Sequence, residues 1–342
     1  MKEILELKAL WETFKAENPK VRIRDAAKQL NTSEAELLAT GTGSTVTRLK
    51  NIFPDILKGV ESLGKVMALT RNDYCVHERK GIYSNLTFTG PMGLALNPDI
   101  DLRLFMMNWS SAFAVDEAGR KSIQFFGKDG EAIHKIYLTE DSNVEAYDQL
   151  VGTFIAEDQD EQLLITADKK VIAEKPDTEI DATEFAAQWL TLKDTHDFHG
   201  LLRKFGVTRT QGLRLAPEGH AVQITIDSLK TILQQSSESD LDIMVFTGNK
   251  GCIQIHTGKV KKLLQTGPWF NVLDPDFNMH LREDAIASVW LVKKPTEDGI
   301  VTSLEIFDEA GEIIVQFFGK RKPGQPENEH WRLMVNELAI IA

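Results

Sequence analysis

The sequence predicts an α+β fold built by tandem duplication, each half a helical segment followed by a large antiparallel β-sheet. Three observations lead there. The chain has 342 residues, enough for about two domains of ordinary size. Residues 66–115 match residues 243–292 at a constant offset of 177. In each half, helical patterns precede short apolar runs punctuated by Gly and Asn, which favours a meander over βαβ units.

The repeat rests on named pairs. Thr70, Asn72, Cys75 and Gly81 meet Thr247, Asn249, Cys252 and Gly258. Thr89-Gly90-Pro91 meets Thr266-Gly267-Pro268, and Leu96, Pro98 and Asp99 meet Leu273, Pro275 and Asp276. Extra residues around Lys294 to Gly299 then shift the offset to 181, after which Ser122, Gly130, Glu131 and Ile133 meet Ser303, Gly311, Glu312 and Ile314. A period this long excludes a solenoid, and two homologous halves, 1–172 and 183–342, are expected. The linker is placed near Ala173 to Ala182, where Glu174-Lys175-Pro176-Asp177 breaks the pattern.

Taken in order, Ala26 to Leu37 reads as a helical hairpin with a Ser/Thr cap before its second helix. This pattern also suits a DNA-reading helix-turn-helix. Glu34 and Glu36 stand where a recognition helix would meet phosphates, so packing on a sheet is favoured. Thr183 to Phe205 reads as one helix stopped by Gly206. Ile243–Phe246, Cys252–His256, Val260–Leu264, Ala287–Val292, Val301–Phe307 and Glu312–Phe318 read as strands, with Asp308-Glu309-Ala310-Gly311 as a turn.

Composition narrows the function classes. Apolar residues at 42% and charged residues at 26% are ordinary for a soluble globular protein. A net charge of −12 lacks the electrostatic footprint of a nucleic-acid binder. No apolar run approaches the roughly 20 residues of a membrane span. The charged N-terminus shows no signal peptide, and two cysteines, Cys75 and Cys252, suit a reducing cytoplasm.

Few residues announce chemistry. Dinucleotide, P-loop and nucleophile-elbow motifs are absent. His196 and His199 stand at i,i+3 but lack the zincin spacing and a nearby Cys pair. On an ideal helix His196 lies about 200° from Phe198, off the stripe Phe198, Leu201, Leu202, Phe205 and on the face of Trp189. By pattern alone an ordinary surface or core histidine is favoured over a cleft-lining one. Arg209, Arg214, Lys293, Lys294, Lys320, Arg321 and Lys322 could form a solvated face or converge on a dianion. Asp101 to Phe105 differs from its repeat partner, with His280 opposite Arg103 and Arg282 opposite Phe105. That divergence suits one asymmetric site, or drift on a surface strand.

Several strings together resemble a family. They are the tandem halves, Lys193-Asp194-Thr195-His196-Asp197-Phe198 within Trp189 to Phe205, Asp101-Leu102-Arg103-Leu104-Phe105, Cys75-Val76-His77-Glu78-Arg79 and Gln316-Phe317-Phe318-Gly319-Lys320-Arg321. The chain resembles, over essentially its whole length, the bacterial cytoplasmic hemin-transport and hemin-degrading proteins of the HemS, ChuS and HmuS type. The resemblance implies heme b held in a cleft between the halves, with His196 as the axial iron ligand and Arg103 as the distal, catalytic arginine. It places Phe105 beside the heme face, and Arg209, Lys294 and Arg321 near the propionates and distal pocket. Gln316 and Phe318 would line the pocket, Phe318 standing where some relatives carry Tyr. His77 matches a position tied to a second heme site, and His199 would be a spare ligand. The implied function is heme utilisation after import, with ring opening that releases iron, or carriage of heme to a separate oxygenase. An external electron donor, NAD(P)H or a reductase, would serve the enzyme. An inner-membrane heme transporter and a reductase or oxygenase are the implied partners. No nucleic acid and no membrane insertion are expected.

Overall fold

The computed structural model describes residues 2–166, 173–322, 324–338 and 340. The first half contains α1 (Lys2–Glu17), α2 (Ile23–Gln29), α3 (Glu34–Ala39), β1 (Val46–Leu49), α4 (Phe53–Gly59), β2 (Gly64–Arg71) and β3 (Cys75–Ile82). It continues through β4 (Leu86–Thr89), β5 (Met92–Leu96), β6 (Asp101–Phe105), β7 (Trp109–Glu117), β8 (Arg120–Gly127), β9 (Ala132–Ser142) and α5 (Val144–Phe154). The second half contains α6 (Ala182–Trp189), α7 (Asp197–Phe205), α8 (Arg209–Arg214), β10 (Ala221–Ile224), α9 (Asp227–Glu238), β11 (Ile243–Gly248) and β12 (Cys252–Gly258). It ends with β13 (Leu263–Thr266), β14 (Trp269–Leu273), β15 (Phe277–Arg282), β16 (Ser288–Thr296), β17 (Gly299–Phe307), β18 (Ile313–Gly319) and α10 (Glu329–Asn336).

Two compact units result. One comprises Met1–Arg71, His77–Lys169 and Gly248–Gln254, the other Asn72–Val76, Lys170–Thr247 and Ile255–Ala342. Each unit therefore holds a short piece of the opposite half. The residues that reveal the repeat anchor these pieces. In the first unit the Asn249 amide donates to the Arg71 and Ile133 carbonyls, both at 2.9 Å, and Cys252 packs 3.4 Å from the Thr70 hydroxyl. In the second, Asn72 donates to the Ile314 carbonyl at 2.7 Å, and Cys75 lies 3.4 Å from Thr247. Both thiols are buried.

The fold is α+β with a large antiparallel sheet in each unit, as expected. The first unit orders β1-β7-β8-β9-β2, the second β10-β16-β17-β18-β11. The extra residues that shift the repeat offset lengthen the β16–β17 hairpin. Val115 pairs with Ser122 two pairs from the end of β7–β8, whereas Val292 pairs with Ser303 four pairs from the end of β16–β17. The turn at 308–311 and most of the expected strands are present. Val260 is the exception, buried in the loop before β13.

The α2–α3 hairpin packs as a structural element. Ser33 and Glu36 form a reciprocal capping box. Glu34 is buried and ion-paired with Lys135 on β9, so the first acid of the second helix faces the sheet. The expected linker is docked: Glu174 and Asp177 both pair with Arg214 of α8. Residues 167–172, where the first half was expected to end, lie outside the described residues.

One expectation is overturned. Thr183 to Phe205 is two helices, α6 and α7, separated by 190–196. The Asp194 and Asp197 side chains accept backbone N–H groups here, His196 N–H at 2.8 Å and Asp194 N–H at 3.1 Å. Such local bonds compete with the helical ladder. The Gly206 stop holds, with a left-handed φ of 64° that glycine adopts without strain.

Candidate functional site

The break between α6 and α7 places His196. Phe198, Leu201 and Leu202 bury one face of α7 against Phe185 and Trp189. Trp189 and Phe198 rings meet at 4.6 Å, so Trp189 belongs to the core. The expected shared face of Trp189 and His196 does not exist, because the two residues are not on one helix. His196 instead caps α7 with its side chain 86% exposed. Two bonds tie the end of α6 and the loop to the lengthened hairpin. Trp189 Nε1 donates to the Lys293 carbonyl at 3.0 Å, and Glu297 N–H donates to the Lys193 carbonyl at 2.9 Å.

Within this loop the His196 ring is oriented. Nδ1 lies 2.5 Å from Asp194 Oδ1, which also accepts the His196 backbone N–H. That arrangement leaves Nε2 as the nitrogen able to meet a metal. Asp194's carboxyl is held below its usual range, chiefly by the His196 backbone N–H.

Beneath α7 lies a buried charge cluster. Glu305 on β17 is fully buried and accepts Arg209 Nε at 2.7 Å, Arg209 Nη2 at 2.8 Å and Lys294 Nζ at 2.6 Å. Ser303 Oγ adds a bond at 3.1 Å. Burial opposes ionisation of Glu305, but the two cations outweigh it and hold the carboxyl far below its ordinary range. Burial also pulls the Lys294 ammonium down to about 8. Both cations face the Phe198 ring, Arg209 at 5.1 Å and Lys294 at 4.8 Å from its centroid. The cluster therefore carries about one net positive charge. His199, one α7 position beyond Phe198, has its pKa lowered, first by desolvation and then by Arg209 and Lys294.

The same sheet face carries the remaining candidates of this unit. Cross-strand register aligns Gln316 with Glu305 and Phe246, and Phe318 with Ser303 and Met244. Opposite residues of antiparallel strands share a face, so Met244, Phe246, Gln316 and Phe318 form one half-buried patch. Phe246 and Phe318 rings meet at 4.9 Å. Arg321 follows β18, 3.9 Å from Asp298, the longest ion pair among these cations. The other basic residues disperse: Arg214 pairs with Glu174 and Asp177, and Lys320 with Asp242.

Arg103 and Phe105 belong to the first unit. On β6 the side chains of Leu102 and Leu104 are fully buried, and Asp101, Arg103 and Phe105 alternate with them at intermediate exposure. Arg103 pairs with Asp101 on that face. Burial raises the Asp101 pKa, against the opposing pull of Arg103. The repeat partner His280 has its ring nitrogen 2.7 Å from the Asn271 amide oxygen, and Arg282 pairs with Asp284. His77 is fully buried on β3.

Sequence reasoning missed Glu305 and Asp194. A lone acid between apolar residues in Val301 to Phe307 was the available signal for the first. A carboxylate two residues before the histidine was the signal for the second.

Comparison with known proteins agrees with the resemblance. The haemin-degrading HemS.ChuX domain family matches residues 31–154 and again 206–338, once per half. The hemin transport protein HemS of Yersinia enterocolitica is 39% identical over 335 residues, covering 95% of this chain and 96% of that protein. The crystal structure of holo-PhuS, a heme-binding protein from Pseudomonas aeruginosa, matches with a TM-score of 0.96 and 46% identity, covering 99% of each chain. The heme-degrading enzyme ChuS of Escherichia coli O157:H7 matches with a TM-score of 0.91 and 35% identity, covering 98% of this chain and 99% of that one. The duplication, the site strings and the full-length matches agree: this chain belongs to the haemin-degrading HemS.ChuX family.

Proposed function

We propose that the protein binds heme as its substrate or cargo, ligating the iron through His196, and serves heme utilisation in the cytoplasm by opening the ring and releasing iron. The observation that carries this reading is the His196 imidazole. It is exposed, fixed at the start of α7, and turned by Asp194 so that Nε2 is open.

The chemistry of the other candidate residues supports the reading. Phe246 and Phe318 offer ring surface for a flat macrocycle. Phe318 offers no phenol to a carboxylate. Arg209 and Lys294 are held by Glu305, so they supply a field of about one positive charge. Arg321, loosely held, is the guanidinium best able to turn to a propionate. In the first unit Arg103, paired with Asp101, would be a hydrogen-bond donor toward heme, as the resemblance implies. Phe105 would pack on the heme face. Electrons would come from an external donor, NAD(P)H or a reductase.

The alternative is a carrier that receives heme from an inner-membrane transporter and passes it to a separate heme oxygenase. The comparisons favour neither: HemS and PhuS carry transport and binding names, ChuS a degrading one. Hemin-loaded protein given NAD(P)H and a reductase separates them. A Soret band that bleaches to a linear tetrapyrrole supports ring opening, and a band that persists supports the carrier.

A further inference from the structure

We infer that Asp194 is the positioning residue of His196: its carboxylate fixes which ring nitrogen faces the iron and how strongly that nitrogen donates. The inference rests on the reading that His196 ligates heme. One oxygen, Asp194 Oδ1, meets both the His196 backbone N–H at 2.8 Å and the ring Nδ1 at 2.5 Å. Asp194 is itself held, because its N–H donates to Asp197 Oδ2 at 3.1 Å and the preceding Lys193 carbonyl is tied to Glu297. The lengthened β16–β17 hairpin, the loop, the carboxylate and the ring thus form one chain of contacts. The first half, with its shorter β7–β8 hairpin, lacks residues matching the inserted ones.

The chemistry follows from the bond. Nδ1 donates its proton to Asp194, so the lone pair resides on Nε2. In the free protein both side chains are exposed, and water screens the pair. A flat apolar ligand over the imidazole removes that water, and the bond strengthens as the local dielectric falls. A carboxylate on the far nitrogen then makes the ring a stronger donor and favours ferric over ferrous iron.

Asp194→Asn tests this. It keeps the size and an oxygen for the backbone N–H but removes the charge. The hemin-loaded variant should bind about tenfold more weakly. Its ferrous iron–histidine stretching frequency should fall, and its ferric/ferrous potential should rise. Asp194→Glu, which returns the charge, should move both back toward wild type. Melting of the unloaded proteins checks that the fold is kept. If both signatures are unchanged in Asp194→Asn while His196→Ala removes the iron–histidine mode, the role of Asp194 is overturned and the ligand assignment stands. If the mode survives His196→Ala, both fall.

Discussion

Acid should destabilise the first unit at His134. Its ring is buried on β9 with Nδ1 2.8 Å from the Thr70 hydroxyl and Nε2 2.5 Å from the Tyr83 hydroxyl. Burial lowers its pKa from 6.5 to about 3. In the unfolded chain the ring regains the ordinary value, so below pH 6.5 the unfolded state takes up a proton that the folded state refuses. The stability conferred by the neutral ring is therefore complete above pH 6.5 and lost as pH falls toward 3. At about 1.4 kcal/mol per pH unit, moving from pH 7 to pH 5 removes about 2 kcal/mol. His134→Gln keeps a donor and an acceptor but does not titrate. Hydrogen exchange on peptides spanning β2 and β9, at pH 7 and pH 5, reads the local stability. Wild type should lose about 2 kcal/mol more than the variant between the two pH values. Equal losses would refute the buried neutral histidine. The positions in the second half that match Tyr83 and His134 are Val260 and Val315, both fully buried, so this particular pair is not repeated there.

Two further outcomes follow from the packing. Glu305→Gln leaves Lys294 and Arg209 without their counter-charge and should cost about 3 kcal/mol in urea unfolding, part of which Lys294→Met should restore. An unchanged midpoint would show that the cluster contributes nothing. A fragment of residues 173–342 lacks Asn72–Val76, whose Asn72 amide and Tyr74 carbonyl bond Ile314 and Arg282 of the second unit. It should fail to unfold cooperatively alone and recover when co-expressed with residues 1–172. Cooperative unfolding of the lone fragment would contradict the exchange of segments.

Much of the fold was legible because duplication writes it twice. Thr70, Asn72 and Cys75 recur as Thr247, Asn249 and Cys252 since each set builds the same turn and buried contact. That these contacts fall in opposite units was not legible, because spacing does not say which copy a segment packs against. The shift in offset near Lys294 was visible, but its use, a hairpin that carries the His196 loop, needed coordinates. Periodicity merged α6 and α7 because Leu190 and Leu192 continue the apolar pattern, whereas the Asp194 and Asp197 side-chain bonds that break the helix leave no periodic trace. The basic residues were legible as candidates. Their dispersal onto Glu305, Glu174, Asp177 and Asp242 was not. The proposal of His196 and Arg103 as site residues comes from family resemblance, not from pattern.

The most direct test is a hemin titration of wild type, His196→Ala and Arg103→Ala, followed by the Soret band. Wild type should show a saturable shift. His196→Ala should bind more weakly with an altered band, or with the band of a substitute ligand if His199 takes over, which His196→Ala/His199→Ala resolves. Arg103→Ala should keep most of its affinity and change only the sixth-ligand signature. A wild-type titration without saturation, or a double histidine variant indistinguishable from wild type, would contradict heme binding through His196.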